Sequence, residues 1–301
     1  MPESCGASPR SELLHAVIIL RMLYLQLIVL RYMEKIRVLI WNEYIHEQRD
    51  KAVQKIYGKE GIHGAIAKFL RQYPEFEIST ATLDDDDCGL TEDVLKNTDV
   101  LIWWGHAGHH FVADDIVDRV YSHVLKGLGL VVLHSGHFSK IFKKLMGTSC
   151  GLTWREAGER ELLWIVNPYH PIVKGIDPVI ELEHTEMYGE YFDVPRPDEL
   201  IFISNFEGGE VFRSGMTFHR GLGKIFYFRP GHETFPIYKG ESDGSVQVLK
   251  VIANACRWCK FDGNREVSGI GKALHQPFSI NPLKKYDFEA LEAHPDESNK
   301  K

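Results

Sequence analysis

From residue 35 onward the chain alternates between short apolar runs and stretches whose apolar positions recur three and four residues apart. Strands buried on both faces read as near-continuous apolar runs, so this alternation predicts a mostly parallel sheet covered by helices. Strands are predicted at 36–41, 76–81, 99–104 and 129–133. Ile62, Ile66, Phe69 and Leu70 lie at helical spacing and predict a first helix that ends near Tyr73-Pro74, since a residue preceding proline leaves the α region. A short helix is expected to begin at Leu90-Thr91-Glu92-Asp93, and Ile116, Val117, Val120, Val124 and Leu125 form the stripe of the next. Past Gly151 the texture changes. Strand-like segments at 162–166, 179–182, 200–204, 215–219 and 224–228 follow one another through turns, and a last helix over 244–259 packs back through Val246, Leu249, Val251 and Ile252. No internal repeat divides the chain, so one domain over 33–262 with a β-rich second half is expected.

The two ends read differently. Residues 13–30 are nearly all apolar, interrupted by His15, Arg21 and Gln26. A membrane helix of about 20 residues, an amphipathic appendage and an extension upstream of a domain starting at Met33 are the readings to weigh. A central arginine costs roughly 2.5–3.5 kcal/mol on insertion, and no small-residue cleavage site follows, which favours 1–32 as an extension. Residues 263–301 read as a charged tail. With 35 basic against 42 acidic side chains the net charge is −7, which gives no electrostatic reason to expect nucleic acid. Membrane association is not expected, and a homo-oligomer is compatible with the composition. Five cysteines without regular spacing suggest reduced thiols and a cytoplasmic setting.

Histidine is the anomaly. The chain has 15, and they are bunched. In open α/β sheets ligands bind outside the carboxyl ends of the strands, and there the sequence puts Asn42 to Glu47 with His46, then Gly105-His106-Ala107-Gly108-His109-His110, then His134-Ser135-Gly136-His137. Any one imidazole is more often structural than functional, but several at one sheet edge suit metal ligation or proton transfer near neutral pH. The second half adds His170, the pair His184 and Glu186, and Gly231-His232-Glu233 after the strand at 224–228. Two apart on an extended segment, His184 and Glu186 are expected on one face; a surface ion pair is the duller alternative.

Nucleophile signals are weaker. Ser135 follows a strand, yet the glycines of a Gly-x-Ser-x-Gly elbow are absent. Cys256-Arg257-Trp258-Cys259 has no second pair for a zinc or redox site, and Asp84 to Asp87 reads as a solvated loop. With no Gly-x-Gly-x-x-Gly opening the first helix and no Walker sequence, a nucleotide cofactor is not expected.

The ordered series of 37–42, Leu128 to His134, His170-Pro171-Ile172 with Gly175-Ile176, Glu186-Met187-Tyr188 and Gly221 to Phe228 with Gly231-His232-Glu233 resembles the trehalose-utilisation (ThuA-like) family, over roughly 35–260. The resemblance implies a class I glutamine amidotransferase-like fold: a flavodoxin-like, doubly wound sheet with a β-rich inserted portion. It also implies that amidotransferase chemistry is absent, because the His134-Ser135 turn stands where that superfamily carries its cysteine. The implied substrates are disaccharides or their keto derivatives, and His134, Glu186 and His232 are the positions carried over as catalytic.

The combined expectation is a sugar enzyme that abstracts a proton beside a keto group, with His134 as base and His232 as second proton-transfer group, leading to cleavage or isomerisation. A divalent metal, zinc or manganese, is assigned to His106, His109, His110 and His137, and substrate contacts to Asn42, His46, Trp104, Ser135 and Tyr188. The rival readings are a metal-free hydrolase using Ser135 and a non-catalytic sugar-binding or regulatory protein.

Overall fold

The computed structural model describes residues 35–263, together with Ile19, Arg21 and Met22; the expectations for the N-terminal 32 residues and for the C-terminal tail fall outside them. Nine strands follow in chain order: β1 (Ile36–Asn42), β2 (Phe76–Thr82), β3 (Val100–Trp104), β4 (Gly129–Leu133), β5 (Thr153–Ile165), β6 (Val179–Gly189), β7 (Glu199–Phe206), β8 (Val211–Arg220) and β9 (Gly223–Phe228). The α-helices are α1 (Ile45–Arg49), α2 (Lys51–Tyr57), α3 (Gly61–Leu70), α4 (Glu92–Lys96), α5 (Asp114–Leu125), α6 (Lys140–Met146) and α7 (Asp243–Cys259).

All strands join one sheet in the order β2-β1-β3-β4-β9-β8-β7-β5-β6. The first five in that order run parallel and the remainder pair antiparallel. Strands β5 to β8 are thus inserted between β4 and β9, which is the doubly wound sheet with a β-rich insertion that the family resemblance implies. Period-two alternation sorts the core into two layers. Val38 and Ile40 face one layer with Ile62 and Ile66 of α3 and Val248 and Ile252 of α7. Leu39 and Trp41 face the other with Val117 and Val120 of α5 and Phe142 of α6.

The insertion departs from its expected boundaries. β5 begins nine residues before the predicted 162, because its first half (Thr153 to Glu159) is exposed or half-buried throughout and shows no alternation. Its order comes instead from pairing with β6. In that pairing Glu161 opposes Leu182 but Glu159 opposes Thr185, so β6 carries one extra residue. A bulge of this kind breaks the two-residue period. As a result His184 is exposed and Glu186 is buried, which overturns the expectation that they share a face. The helices α1 and α2 were also outside the periodicity, being too short to show a stripe. Cys256 and Cys259 are buried thiols on α7. Gly129 admits that helix: a Cβ there would lie 2.6 Å from the Cys259 carbonyl oxygen. Among the described residues no helix is long and apolar enough to cross a membrane.

Asp99, just before β3, ties the start of β1 in place. Its Oδ2 accepts from the Arg37 backbone N–H at 2.8 Å and its Oδ1 from the guanidinium at 2.6 Å. Burial raises the Asp99 carboxyl, but the Arg37 hydrogen bonds outweigh it and hold the group below its usual range. A depressed folded-state pKa stabilises above the unfolded value and is lost as pH falls through the folded one. Asp99→Asn is expected to cost about 1–3 kcal/mol at neutral pH, with the deficit closing below the ordinary carboxylate range; denaturant titrations at neutral and acid pH measure it.

Candidate active site

Four adjacent strand ends, those of β1, β3, β4 and β9, deliver His46, His106, His134 and His232 with Glu43 and Glu233, and β6 of the insertion adds Glu186. The β4 end turns sharply. His134 takes a left-handed conformation at φ 49°, a local strain of about 1–3 kcal/mol for a non-glycine residue. His134, not Ser135, therefore occupies the apex of the strand-to-helix turn. It is fully buried.

An inner group forms around it. His134 Nε2 lies 3.0 Å from Glu186 Oε2, which in turn lies 3.8 Å from His232 Nε2. Their ligand atoms all fall within 4.8 Å of one another. The His134 tautomer follows from its other nitrogen: Nδ1 is 2.9 Å from the Arg229 carbonyl oxygen, which only accepts, so Nδ1 carries the hydrogen. Burial first, then the Arg229 and His106 charges, lower the His134 pKa to about 3, so the ring is neutral near pH 7. Its Nε2 lone pair therefore points at a carboxylate oxygen. The Tyr188 hydroxyl, at 3.3 Å, is a weak donor to the same nitrogen. Burial pushes the Glu186 carboxyl above its usual range, against the pull of His232. Two acceptors this close and buried require a proton or a cation between them.

Arg229 sets this geometry. Fully buried, it donates to the Glu186 carbonyl at 2.6 Å and to Thr185 Oγ1 at 3.0 Å, and it pairs with buried Glu161. His232 is presented by a loop that needs Gly231 (φ 134°), where a Cβ would strike the Tyr238 ring. Its Nδ1 lies 2.7 Å from Thr234 Oγ1, which donates to Glu156 at 3.0 Å.

An outer group stands beside it. His106 Nδ1 is 2.7 Å from Glu233 Oε1, and His46 Nδ1 is 3.3 Å from the same oxygen. Burial lowers the His106 pKa, but its bond to Glu233 and the surrounding carboxylates prevail and raise it. Burial likewise raises Glu233, and the hydrogen bond from His106 reverses this and brings it to about 2. The loop bearing His106 is anchored by buried Glu43, whose carboxylate accepts the backbone N–H groups of His106, Ala107 and Gly108 at 2.7–2.8 Å.

The residues expected from sequence divide accordingly. His134, Glu186 and His232 are brought together, and His46 joins His106. The proposed metal set of His106, His109, His110 and His137 is not assembled. His110 is exposed against Phe111, and His137 donates to the Cys150 carbonyl at 2.8 Å among aromatic rings. His109 lines the cleft apart from either cluster, its pKa lowered to about 4 by burial. Asn42 is committed to the turn, contacting Glu47, His63 and the Tyr44 N–H. Trp104 is fully buried and donates to the Gly231 carbonyl at 3.1 Å, so it has no face for a sugar. Ser135 lines the cleft, but its hydroxyl donates to the Gly105 carbonyl at 2.8 Å rather than to an imidazole. Tyr188 also lines it, with its ring stacked on His134. His170 caps a turn through the Ile172 N–H.

Sequence reasoning passed over Glu43, Glu233, Arg229 and Trp154. The first three were legible as charged residues at the ends of buried apolar strands; Trp154 lies in a stretch without alternation. The cleft measures about 230 Å³ and is lined by Glu186 and His232 of the inner group and by His106 of the outer one. Hollows of about 520 Å³ and 540 Å³ beside α7 and α3 contain neither cluster, so chemistry rather than size locates the site.

A family model described as trehalose utilisation matches residues 37–259. A ThuA-like protein of Parabacteroides merdae superposes with TM-score 0.54 at 13% identity, covering 76% of this chain and 92% of that one. A ThuA-like protein of Bacteroides uniformis gives TM-score 0.54 at 17% identity, covering 78% and 96%. A cytoplasmic protein of Salmonella typhimurium gives 0.51 at 13% identity, covering 74% and 99%. These likenesses speak to fold. No curated protein matches the chain.

Removing Glu161 leaves the Arg229 charge buried without its counter-ion. Glu161→Ala is expected to cost about 3–5 kcal/mol, whereas the double substitution Glu161→Leu with Arg229→Met recovers most of that loss. Chemical denaturation of both variants checks the contrast; equal losses would count against it.

Proposed function

The chain belongs to the trehalose-utilisation (ThuA) family, and from that premise we propose that it is an enzyme of carbohydrate catabolism acting on a disaccharide or keto-sugar by proton transfer in this cleft. The observation that carries the reading is the convergence of His134 Nε2, Glu186 Oε2 and His232 Nε2 beside an imidazole braced by a carboxylate.

The inner group has the donor set of a catalytic metal site, two imidazoles and one carboxylate, with other positions left for water or substrate. Ligating histidines normally donate their other nitrogen to a carbonyl or carboxylate. His134 does so to Arg229, whereas His232 Nδ1 lies 2.7 Å from the Thr234 hydroxyl and accepts the Thr234 N–H at 3.2 Å. We therefore assign a divalent cation, zinc or manganese, to His134, Glu186 and His232 in place of the set first expected. When bound, it would polarise a sugar carbonyl oxygen.

The base in this reading is His106 rather than His134, because His134 is fully enclosed and its Nε2 is turned to Glu186. His106 is part-exposed on the cleft and holds Nδ1–H against Glu233, which leaves Nε2 to accept a proton. A C–H beside a ketone is acidified. His106 Nε2 takes that proton, the bond's electron pair passes into the adjoining carbon–oxygen system, and Glu233 balances the imidazolium. Returning the proton to the former carbonyl carbon, while the neighbouring hydroxyl proton passes to the enolate oxygen, gives isomerisation; expelling an alkoxide from the carbon β to the ketone, with the His106 proton going to the departing oxygen, gives cleavage. The setting is taken as cytoplasmic, in keeping with four buried cysteines that form no disulfide.

The serine-hydrolase rival has less support, since the Ser135 proton is already engaged by a carbonyl. With 3-keto-disaccharides as substrates, His106→Ala is expected to lower kcat by about 10²–10⁴-fold, while Ser135→Ala keeps most of it. Elemental analysis of untagged protein should find about one divalent ion per chain, lost in Glu186→Gln and in His232→Ala. Full activity in metal-free protein would end the metal assignment, and turnover that depends on Ser135 instead of His106 would end the proton-transfer reading.

A further inference from the structure

The exposed indole at the mouth of the cleft has no structural employment. Trp154 is 63% exposed. Among the described residues it makes no aromatic stack, cation–π contact or side-chain hydrogen bond, and it is not one of those with a further interaction. It lies on the irregular outer half of β5, opposite Tyr188 of β6, the residue whose ring covers His134. Two residues along the same strand, Glu156 also lines the cleft and is 43% exposed. Both side chains line the cleft. By contrast, Phe138 on the same rim already has the Lys143 ammonium 4.3 Å over its ring.

A pyranose ring has one face of C–H groups and a perimeter of hydroxyls. The first wants a flat apolar surface and the second wants acceptors at its edge, a pairing that an amphipathic indole beside a carboxylate supplies. With about 230 Å³ available, a cleft below the usual range for drug-sized ligands suits one sugar ring better than two. We propose that Trp154 is the platform on which a single hexopyranose ring stacks, with Glu156 accepting from its hydroxyls and any second ring lying outside the cleft. This rests on the sugar-enzyme reading and adds to it the class of ligand: a cyclic hexose or the terminal ring of a disaccharide, not an open-chain polyol.

Calorimetric titration of the full chain with trehalose, glucose and sorbitol tests it, in wild type, Trp154→Ala and Trp154→Phe. The expected result is that wild type takes glucose and trehalose but not sorbitol. Trp154→Ala should then bind at least about tenfold more weakly, and Trp154→Phe should fall between. Because the indole is exposed, thermal unfolding should be unchanged in both variants. Sugar binding by Trp154→Ala equal to wild type overturns the platform and leaves the sugar reading standing. Equal binding of sorbitol overturns the ring selectivity, and failure of wild type to bind either sugar overturns the sugar reading and the platform together.

Discussion

The site depends on one buried arginine making two unlike contacts. Arg229 accepts the His134 Nδ1 hydrogen with its carbonyl oxygen and holds the Glu186 carbonyl with its guanidinium. The first contact fixes which nitrogen of His134 carries a proton; the second fixes the strand that brings Glu186 to the other nitrogen. A guanidinium enclosed in this way would be ruinous alone, and Glu161 supplies the compensating charge. The antiparallel insertion thus does more than extend the sheet. It provides Glu161, Thr185 and Glu186, all of which meet a residue at the end of a parallel strand.

Opposite protonation logic governs the two neighbouring groups. In the inner group burial dominates, so His134 and His232 are driven towards neutrality while Glu186 moves up. Neutral imidazoles beside a carboxylate are what a cation seeks. In the outer group the Glu233 carboxylate dominates instead, and His106 keeps an affinity for protons above that of a free imidazole. Environment separates the two proposed roles, a cation held by the inner group and a proton exchanged by the outer one. Glu43 keeps the second within reach of the first by anchoring the intervening loop at three backbone N–H groups.

Much of this was visible in the linear pattern. The parallel strands and α3, α5 and α7 follow from apolar periodicity, and the strand-end rule gathers His46, His106, His134 and His232 without coordinates. What escaped did so for definable reasons. A single extra residue in β6 reversed the facing of His184, which no alternation count detects. His110 lies four residues beyond His106 and His137 three beyond His134, each on a short 3-10 turn that carries its side chain away from the clustered imidazole. Trp104 carries the residue type of a sugar platform, yet its place in a strand buried on both faces enclosed it. Trp154 stands in a segment where neither period holds, so composition offered no reason to single it out.

Arg229 imposes one protonation pattern on His134, and nitrogen-15 NMR of the imidazole rings reads it directly. His134, identified by the signals lost in His134→Gln, should show a hydrogen on Nδ1 and a bare Nε2, unchanged across the neutral range. A hydrogen on Nε2 instead, or on both nitrogens, would overturn this assignment, because the atom facing Glu186 would then be a donor.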